Sequence, residues 1–251
     1  MQVIFIHHSC FLVEVDDLVL IFDYFGGDRV NGFHFTGKIP DYAPDTKIYM
    51  FASHKHQDHF DMDILRWSEK YTNVHYILSK DIRISPHFLQ KHGIDPGVRK
   101  KVTFVSANNH YEVDDLKIQT LLSTDAGVAF YVNVRGVSIF HAGDLNNWHW
   151  SEESTEAEIR KANGDFLAEV KYLKEKAPEI DLALFPVDRR MGKDYMKGAK
   201  QFIEQIKTTI FVPMHFSEDY EGGNALRDFA ENAGCRFISI THRGESFEIT
   251  K

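Results

Sequence analysis

The sequence predicts an α+β fold in a single domain over residues 1–251. Short β-rich runs alternate with helical patterns in both halves of the chain, which fits an αββα arrangement. A length of 251 residues suits one large domain or two small ones. Because neither an internal repeat nor a low-complexity linker interrupts the chain, we expect one domain.

The first elements are three β-rich runs that form a meander. Asp16-Asp17 marks the turn between the second and third runs. A long segment with little periodicity, residues 24–46, follows and is rich in glycine, aspartate and aromatic residues. It is predicted to be a lid or pocket wall, the alternative being simple surface packing. The three runs are 2–7, 10–15 and 18–23.

A cluster of histidines follows the next strand. Residues 47–52 are apolar and partly β-branched, which is typical of a buried strand. Asp61 is predicted to cap a helix from about Met62 to Tyr71, so the residues between lie on a strand-to-helix loop. This loop carries four side chains that bind metals in proteins: His54, His56, Asp58 and His59.

The spacing of these four side chains favours a shared site. In extended backbone, side chains 54, 56 and 58 point the same way, and His59 joins them where the chain bends. Neutral imidazole and carboxylate ligands suit zinc, manganese or iron. The alternative, a histidine-rich surface loop, is less favoured, because four coordinating side chains at this spacing are unlikely to occur by accident.

The remaining elements alternate between strands and helices. Predicted strands are 74–78, 102–105, 117–122, 128–134, 137–141, 181–187 and 209–216, with two more near the C-terminus. Predicted helices are 86–92, 152–177, 194–206 and 224–233. We expect Asn163-Gly164 to break the second of these helices in two.

Composition limits the classes of partner and compartment. The net charge of −8 argues against nucleic acid as a partner, because phosphate binding relies on lysine and arginine. Cys10 and Cys235 provide neither a disulfide framework nor a thiolate metal site. The N-terminus lacks a basic leader segment, and no apolar run reaches the length of a membrane span. We therefore expect a cytoplasmic protein without a membrane partner.

The motif H-x-H-x-D-H at residues 54–59 resembles the signature of the metallo-β-lactamase superfamily. The Gly143-Asp144 turn after a β-run is similar to the aspartate that bridges two metals there, and Pro213 to Phe216 resembles the segment of the last ligand, His215. The resemblance implies a four-layered αββα sandwich with a one- or two-metal site. It implies His54, His56 and Asp144 on one metal, and Asp58, His59, Asp144 and His215 on the other.

The sequence departs from the family pattern at one ligand. Most relatives place a histidine where this chain has Ser123-Thr124-Asp125. Asp125 and His149 are the candidates to complete the first metal position, and His110 is a less favoured one. The remaining alternative is a mononuclear site.

Further site residues follow from their positions at strand ends. Asp23 is predicted to orient a metal-bound histidine, an ordinary turn carboxylate being the alternative. His8 is expected near the site but not as a ligand. Trp148 is predicted to line the pocket, with core packing as the alternative. Arg189 and Arg190 are predicted to hold an anionic substrate group, with surface salt bridges as the alternative.

Within the superfamily, the chain looks most like the branch of L-ascorbate-6-phosphate lactonase and related bacterial hydrolases. This resemblance implies a hydrolase that uses a metal-bound hydroxide on a small ester, lactone or phosphodiester, with Asp58 holding the proton of the water. One or two divalent ions are expected, with zinc favoured over manganese and iron. The alternatives are a nuclease of the same superfamily and a non-catalytic metal-binding or sensing protein. The expected partner is a small molecule, and homo-oligomer formation is left open.

Overall fold

The computed structural model describes residues 1–26 and 39–249. The chain divides into two compact units, Met1–Ser106 with Arg243–Lys251 and Ala107–His242. The single domain over 1–251 stays a prediction. Residues 27–38, which form the middle of the predicted lid, lie outside the described residues, so the lid also stays a prediction.

The first unit contains a seven-stranded mixed sheet. Its order is the C-terminal strand Ser246–Glu248, then β1 to β6. Neighbours are antiparallel from the C-terminal strand to β3 and parallel from β3 to β6. The strands are β1 (Gln2–His7), β2 (Cys10–Val15), β3 (Leu18–Phe22), β4 (Lys47–Ala52), β5 (Val74–Ser79) and β6 (Val102–Val105).

This topology places three strand ends at one edge of the first sheet. Strands β3 and β4 are parallel neighbours, with Phe22 opposite Phe51, and β1 runs in the same direction because β2 is antiparallel to both β1 and β3. The residues that follow these strands therefore meet at the edge where open sheets bind ligands. They are His8 after β1, Asp23 after β3 and the histidine loop after β4.

Short helices cover part of the first sheet. Asp61 caps its helix as predicted, since its side chain accepts a hydrogen bond from Asp63 N at 3.0 Å. The predicted helix from Met62 to Tyr71 is a 3-10 turn, Met62–Arg66, followed by α1 (Trp67–Lys70). After these come α2 (Pro86–Lys91) and the 3-10 turn Pro96–Lys101. Ile64, Leu65 and Leu89 from these segments join the apolar core of the unit.

The second unit contains its own seven-stranded mixed sheet, in the order β13-β12-β11-β10-β9-β8-β7. Strands β7 to β10 are antiparallel neighbours, and β10 to β13 are parallel. The short β7 was not predicted. The strands are β7 (His110–Val113), β8 (Leu116–Leu122), β9 (Val128–Val134), β10 (Val137–His141), β11 (Glu179–Pro186), β12 (Lys207–Met214) and β13 (Arg236–Phe237).

The helices of the second unit differ from the prediction at two points. The prediction of a break at Asn163-Gly164 is wrong, because α3 is one helix with a Thr155–Glu158 capping box. The predicted helix 224–233 is divided between two short helices. The helices are α3 (Glu156–Lys176), α4 (Lys197–Gln205), α5 (Tyr220–Asn224) and α6 (Arg227–Asn232), with a 3-10 turn at Arg189–Met191.

Two mixed sheets with accompanying helices confirm the predicted α+β class. Each sheet is parallel in part and antiparallel in part, which is common among α+β folds. Within residues 1–26 and 39–249, no helix is both long enough and apolar enough to cross a bilayer.

Candidate metal centre

A buried carboxylate in the first unit fixes the orientation of His59. Asp23 and His59 are both fully buried, and His59 Nδ1 lies 2.7 Å from Asp23 Oδ2. An ionised carboxylate can only accept hydrogen bonds, so Nδ1 carries the proton and the lone pair of the neutral ring is on Nε2. This arrangement is characteristic of histidines that bind metals through Nε2. It is the role predicted for Asp23.

The same carboxylate acts on His54 through Ser53. Ser53 donates its backbone N–H to Asp23 Oδ1 at 2.7 Å and its hydroxyl to Asp23 Oδ2 at 2.6 Å. Because that hydroxyl proton is already used, Ser53 Oγ accepts from His54 Nδ1, which lies 3.0 Å away. The lone pair of His54 is therefore on Nε2, which faces His56 Nδ1 at 2.9 Å. One carboxylate thus sets the proton positions of two histidines in the motif.

Asp58 and His59 form a donor group with a residue that was not predicted as a ligand. His8, Asp58 and His59 each offer a ligand atom, and these atoms lie within 4.8 Å of one another. His8 Nε2 is 3.6 Å from Asp58 Oδ2. Burial alone raises the pKa of Asp58, but the contact with His8 leads the interactions that outweigh it, and the pKa lies well below its usual range. Asp58 is therefore a carboxylate at neutral pH.

Strained backbone marks the strand ends that carry these side chains. The φ angles of His8 and Asp23 are 52° and 48°, and that of His215 in the second unit is 64°. Residues with a Cβ adopt this left-handed region only where the surrounding structure holds them there.

In the second unit, Asp144 and His215 follow two strands that lie on either side of β11. Asp144 follows β10 and His215 follows β12, and both strands run parallel to β11 between them. His215 Nε2 is 3.4 Å from Asp144 Oδ1, and both side chains are buried. A neutral imidazole nitrogen and a carboxylate oxygen this close are suited to one cation.

His215 also contacts a buried carboxylate on its other side. Its Nδ1 lies 3.0 Å from Oδ2 of Asp188, the residue that follows the end of β11 by two positions. Arg190 donates from Nε to both oxygens of Asp188, at 2.9 and 3.0 Å. Burial raises the pKa of Asp188, but the hydrogen bonds from His215 and Arg190 outweigh it and hold the pKa below its usual range. Sequence reasoning used this stretch only for its arginines.

The loop after Asp144 is fixed by buried amides. Asn147 Nδ2 donates to Gln201 Oε1 at 2.8 Å and to Asn163 Oδ1 at 3.0 Å, which connects the loop to α4 and α3. Trp148 Nε1 donates to the Asp144 carbonyl at 2.8 Å, and the Trp148 ring contacts His215 edge-on with centroids 5.4 Å apart. Trp148 therefore packs beside the two candidate ligands of its unit.

The structure does not place the candidates for the missing ligand in a donor group. Ser123 Oγ accepts from Asp125 N at 3.2 Å within the turn, and Asp125 is exposed. His149 is buried, with Nδ1 2.8 Å from the Asn147 carbonyl. Within the described ranges, neither Asp125 nor His149 joins two other donors closely enough to form a metal-binding group.

The two arginines predicted to bind substrate both contact carboxylates of their own unit. Arg189 Nε lies 3.3 Å from Asp219 Oδ2, and its guanidinium lies over the Tyr195 ring at 5.9 Å. Arg190 pairs with Asp188. Their predicted contact with an anionic substrate stays a prediction.

A comparison with known families identifies the superfamily. The family described as "Beta-lactamase superfamily domain" matches residues 2–161, more than half of the chain. The chain belongs to the metallo-β-lactamase superfamily. The matched region contains β1, the histidine loop and Asp144, whereas Asp188 and His215 lie beyond it.

Solved structures show the same fold over nearly the whole chain. Igni18, a metallo hydrolase from the archaeon Ignicoccus hospitalis, has a TM-score of 0.63 at 19% identity, covering 99% of each chain. CmlA, a diiron β-hydroxylase from Streptomyces venezuelae, has a TM-score of 0.64 at 12% identity, covering 99% of this chain and 54% of CmlA. Zinc-bound PqqB from Methylobacterium extorquens has a TM-score of 0.55 at 12% identity, covering 99% and 100%. At these identities the likeness shows the fold alone.

The superfamily and the α+β, metallo-β-lactamase-like fold class predicted from the sequence are confirmed. The lactonase branch, the substrate and the metal stay predictions. The chain also carries groups of histidine and aspartate donors of the kind that this metal-dependent superfamily uses.

Proposed function

We propose that the protein is a metal-dependent hydrolase that uses a metal-bound hydroxide on a small ester, lactone or phosphodiester. One observation carries the proposal. Each unit holds a buried histidine whose Nδ1 contacts a buried carboxylate, His59 with Asp23 at 2.7 Å and His215 with Asp188 at 3.0 Å. Histidines that only pack need no fixed proton position. Both of these histidines have the proton fixed on Nδ1, which leaves Nε2 to bind a metal.

The donor chemistry fits a divalent metal ion. In the first unit, His8, Asp58 and His59 supply two imidazoles and a carboxylate with ligand atoms within 4.8 Å, and His54 and His56 face each other at 2.9 Å. These are the ligand types of zinc, manganese and iron sites. The proposed ligands are those that the family resemblance implies, with His8 added as a candidate: His54, His56, Asp58, His59, Asp144 and His215.

When bound, the metal supplies a hydroxide at neutral pH and polarises the bond under attack. The residues of this chain orient and hold protons around it. Asp23 keeps the Nδ1 protons of His59 and, through Ser53, of His54, so that both rings present Nε2. Asp58 is a carboxylate at neutral pH and partly exposed, so it can accept a hydrogen bond from water and hold that proton in place.

The two metal positions implied by the resemblance are unequal. The position with Asp58, His59, Asp144 and His215 has four protein ligands, whereas the position with His54, His56 and Asp144 lacks the histidine that Ser123 replaces. We expect one ion to bind tightly and a second to bind loosely, since each missing ligand weakens binding. Zinc is favoured, and the fold also accommodates it in PqqB, while CmlA holds two irons.

The substrate class rests on charge and on the family. A net charge of −8 does not suit a polyanion, so a small molecule is the proposed partner and a nuclease the less favoured one. Arg189, Arg190 and Trp148 remain the proposed substrate contacts. The lactonase-like branch remains the proposed one, and a cytoplasmic location the proposed compartment.

The test combines metal analysis with a substrate panel. Purified protein, loaded with zinc, manganese or iron in turn, is assayed on esters, lactones, phosphodiesters and structured RNA. The proposal predicts turnover of at least one small-molecule class. It also predicts loss of that turnover in Asp58→Asn at metal concentrations that saturate the variant, since Asp58 is itself a proposed ligand. Faster cleavage of structured RNA would favour the nuclease. Bound metal without any turnover would favour a binding or sensing protein.

A further inference from the structure

The two carboxylate oxygens of Asp188 contact different groups. Oδ1 accepts from Arg190 N at 3.0 Å, which caps the 3-10 turn Arg189–Met191. Oδ2 lies 3.0 Å from His215 Nδ1. The side chain is 2% exposed, so water does not compete for either oxygen. Only the first task is needed for the local backbone.

We infer that Asp188 is a positioning residue that presents His215 Nε2 to the metal, and that Arg190 holds Asp188 in place. The inference rests on the proposed function, because it assigns His215 a metal. Asp188, Arg190 and His215 all lie beyond residues 2–161, the region that the family comparison matches.

The proton position follows from the contacts. Asp188 Oδ2 accepts and so requires the proton on His215 Nδ1, which leaves the lone pair on Nε2, 3.4 Å from Asp144 Oδ1. Without Asp188, a neutral histidine in water favours neither nitrogen strongly, and rotation about its side-chain bonds is free to move the ring. The left-handed φ of 64° at His215 adds a second constraint on the direction in which the ring leaves the chain.

Arg190 acts on the carboxylate from the outer side. Its guanidinium reaches both Asp188 oxygens in a fork, with Nη2 2.5 Å from Oδ2, and Nη2 is also 3.4 Å from His215 Nδ1. A fork fixes the plane of a carboxylate as well as its position. The Arg190 side chain is 61% exposed, so its removal leaves no large cavity. This geometry separates Arg190 from Arg189, which pairs with Asp219.

Two substitutions distinguish positioning from capping. In Asp188→Asn, the amide oxygen can keep the cap by accepting from Arg190 N, which turns the NH2 group towards His215 Nδ1 and requires the opposite tautomer. In Asp188→Ser, the hydroxyl is still a good helix cap but too short to replace both contacts. We expect both variants to fold and to bind metal roughly tenfold to a hundredfold more weakly, as for other groups that orient ligands.

The readouts are the zinc dissociation constant, measured by competition with a chromophoric chelator, and the His215 tautomer in the metal-free protein. Nitrogen NMR of wild type, about two pH units above the ordinary pKa of histidine, should show the proton on Nδ1. Arg190→Ala should weaken zinc several-fold, and Arg189→Ala should leave the zinc constant unchanged. Asp181→Asn, which alters a β11 carboxylate that accepts from Ser138 of β10, controls for charge removal.

The outcomes separate this inference from the proposed function. Wild type that binds no metal would refute the proposed function, while the NMR result would still decide the tautomer. Zinc affinity in Asp188→Asn and Asp188→Ser equal to wild type, or a proton on Nε2 of His215 in wild type, would overturn the role of Asp188. An unchanged zinc constant together with a raised KM in Arg190→Ala would overturn the role of Arg190 in holding Asp188 and leave only its proposed substrate contact.

Discussion

Replacing Asp23 by asparagine tests how the histidine loop is organised. The change removes one charge and keeps the side-chain shape. Asp23 Oδ1 accepts the Ser53 N–H, so the amide oxygen of the variant can keep this bond while the NH2 group takes the place of Oδ2. That NH2 group then faces Ser53 Oγ and His59 Nδ1, which lie 2.6 and 2.7 Å from Oδ2 in the wild type.

The magnitude follows from the two contacts at Oδ2. A hydrogen bond to a charged group contributes about 1.5–3 kcal/mol, so two contribute about 3–6 kcal/mol. Reversed bonds, in which the amide donates, recover part of this, and we expect a net loss of about 2–4 kcal/mol in the free energy of unfolding. The reversal also places the proton of His59 on Nε2, the nitrogen that binds metal, so metal affinity should fall by roughly tenfold to a hundredfold.

Two measurements on one variant check both numbers. Chemical denaturation of the metal-free protein gives the stability, and chelator competition gives the metal affinity. Asp95→Asn is the matched control, because exposed Asp95 accepts from Gly97 N at the start of the 3-10 turn Pro96–Lys101. Wild-type metal affinity in Asp23→Asn would refute the reasoning, whatever the stability change.

Three further predictions concern other parts of the chain. Ser53→Ala breaks the link from Asp23 to His54 and should weaken metal binding several-fold, less than Asp23→Asn, as measured by the same competition assay. Gly198→Ala should destabilise the protein by about 1–3 kcal/mol in denaturant unfolding, because the new Cβ would lie 2.0 Å from Asn146 Oδ1. Burial raises the pKa of Glu169, so wild type loses stability as the pH rises from 4.5 through the folded-state pKa. Glu169→Gln should therefore unfold at a higher temperature than wild type at pH 7, with the difference vanishing near pH 4.

The motif chemistry could be predicted because it depends on local spacing. Four coordinating side chains within six residues after an apolar strand predict a metal loop, and the aspartate that ends the run 18–23 predicts an orienting partner, Asp23. His8 was predicted near the site, but its place beside Asp58 and His59 depends on strand pairing across the sheet. Asp188 had one available signal, a carboxylate just after a buried strand, which is the same signal that indicated Asp23.

The errors in the fold have tertiary causes. Asn163-Gly164 looks like a helix break from local propensity, since glycine costs about 1 kcal/mol inside a helix. In the structure Asn163 Oδ1 accepts from Asn147 and Gln201, and buried Phe166 and Val170 anchor the following turns. These contacts outweigh the local preference. The strand β7 was missed because its residues are largely exposed and alternate weakly.

The central claim is that His59 and His215 bind metal through Nε2, and the metal content of two variants tests it most directly. Plasma mass spectrometry of purified His59→Ala and His215→Ala, with His87→Ala on the exposed side of α2 as the control, gives the ions bound per chain. The account predicts that each of the two variants loses metal and activity together while His87→Ala keeps both. Wild-type metal content in His215→Ala would contradict it.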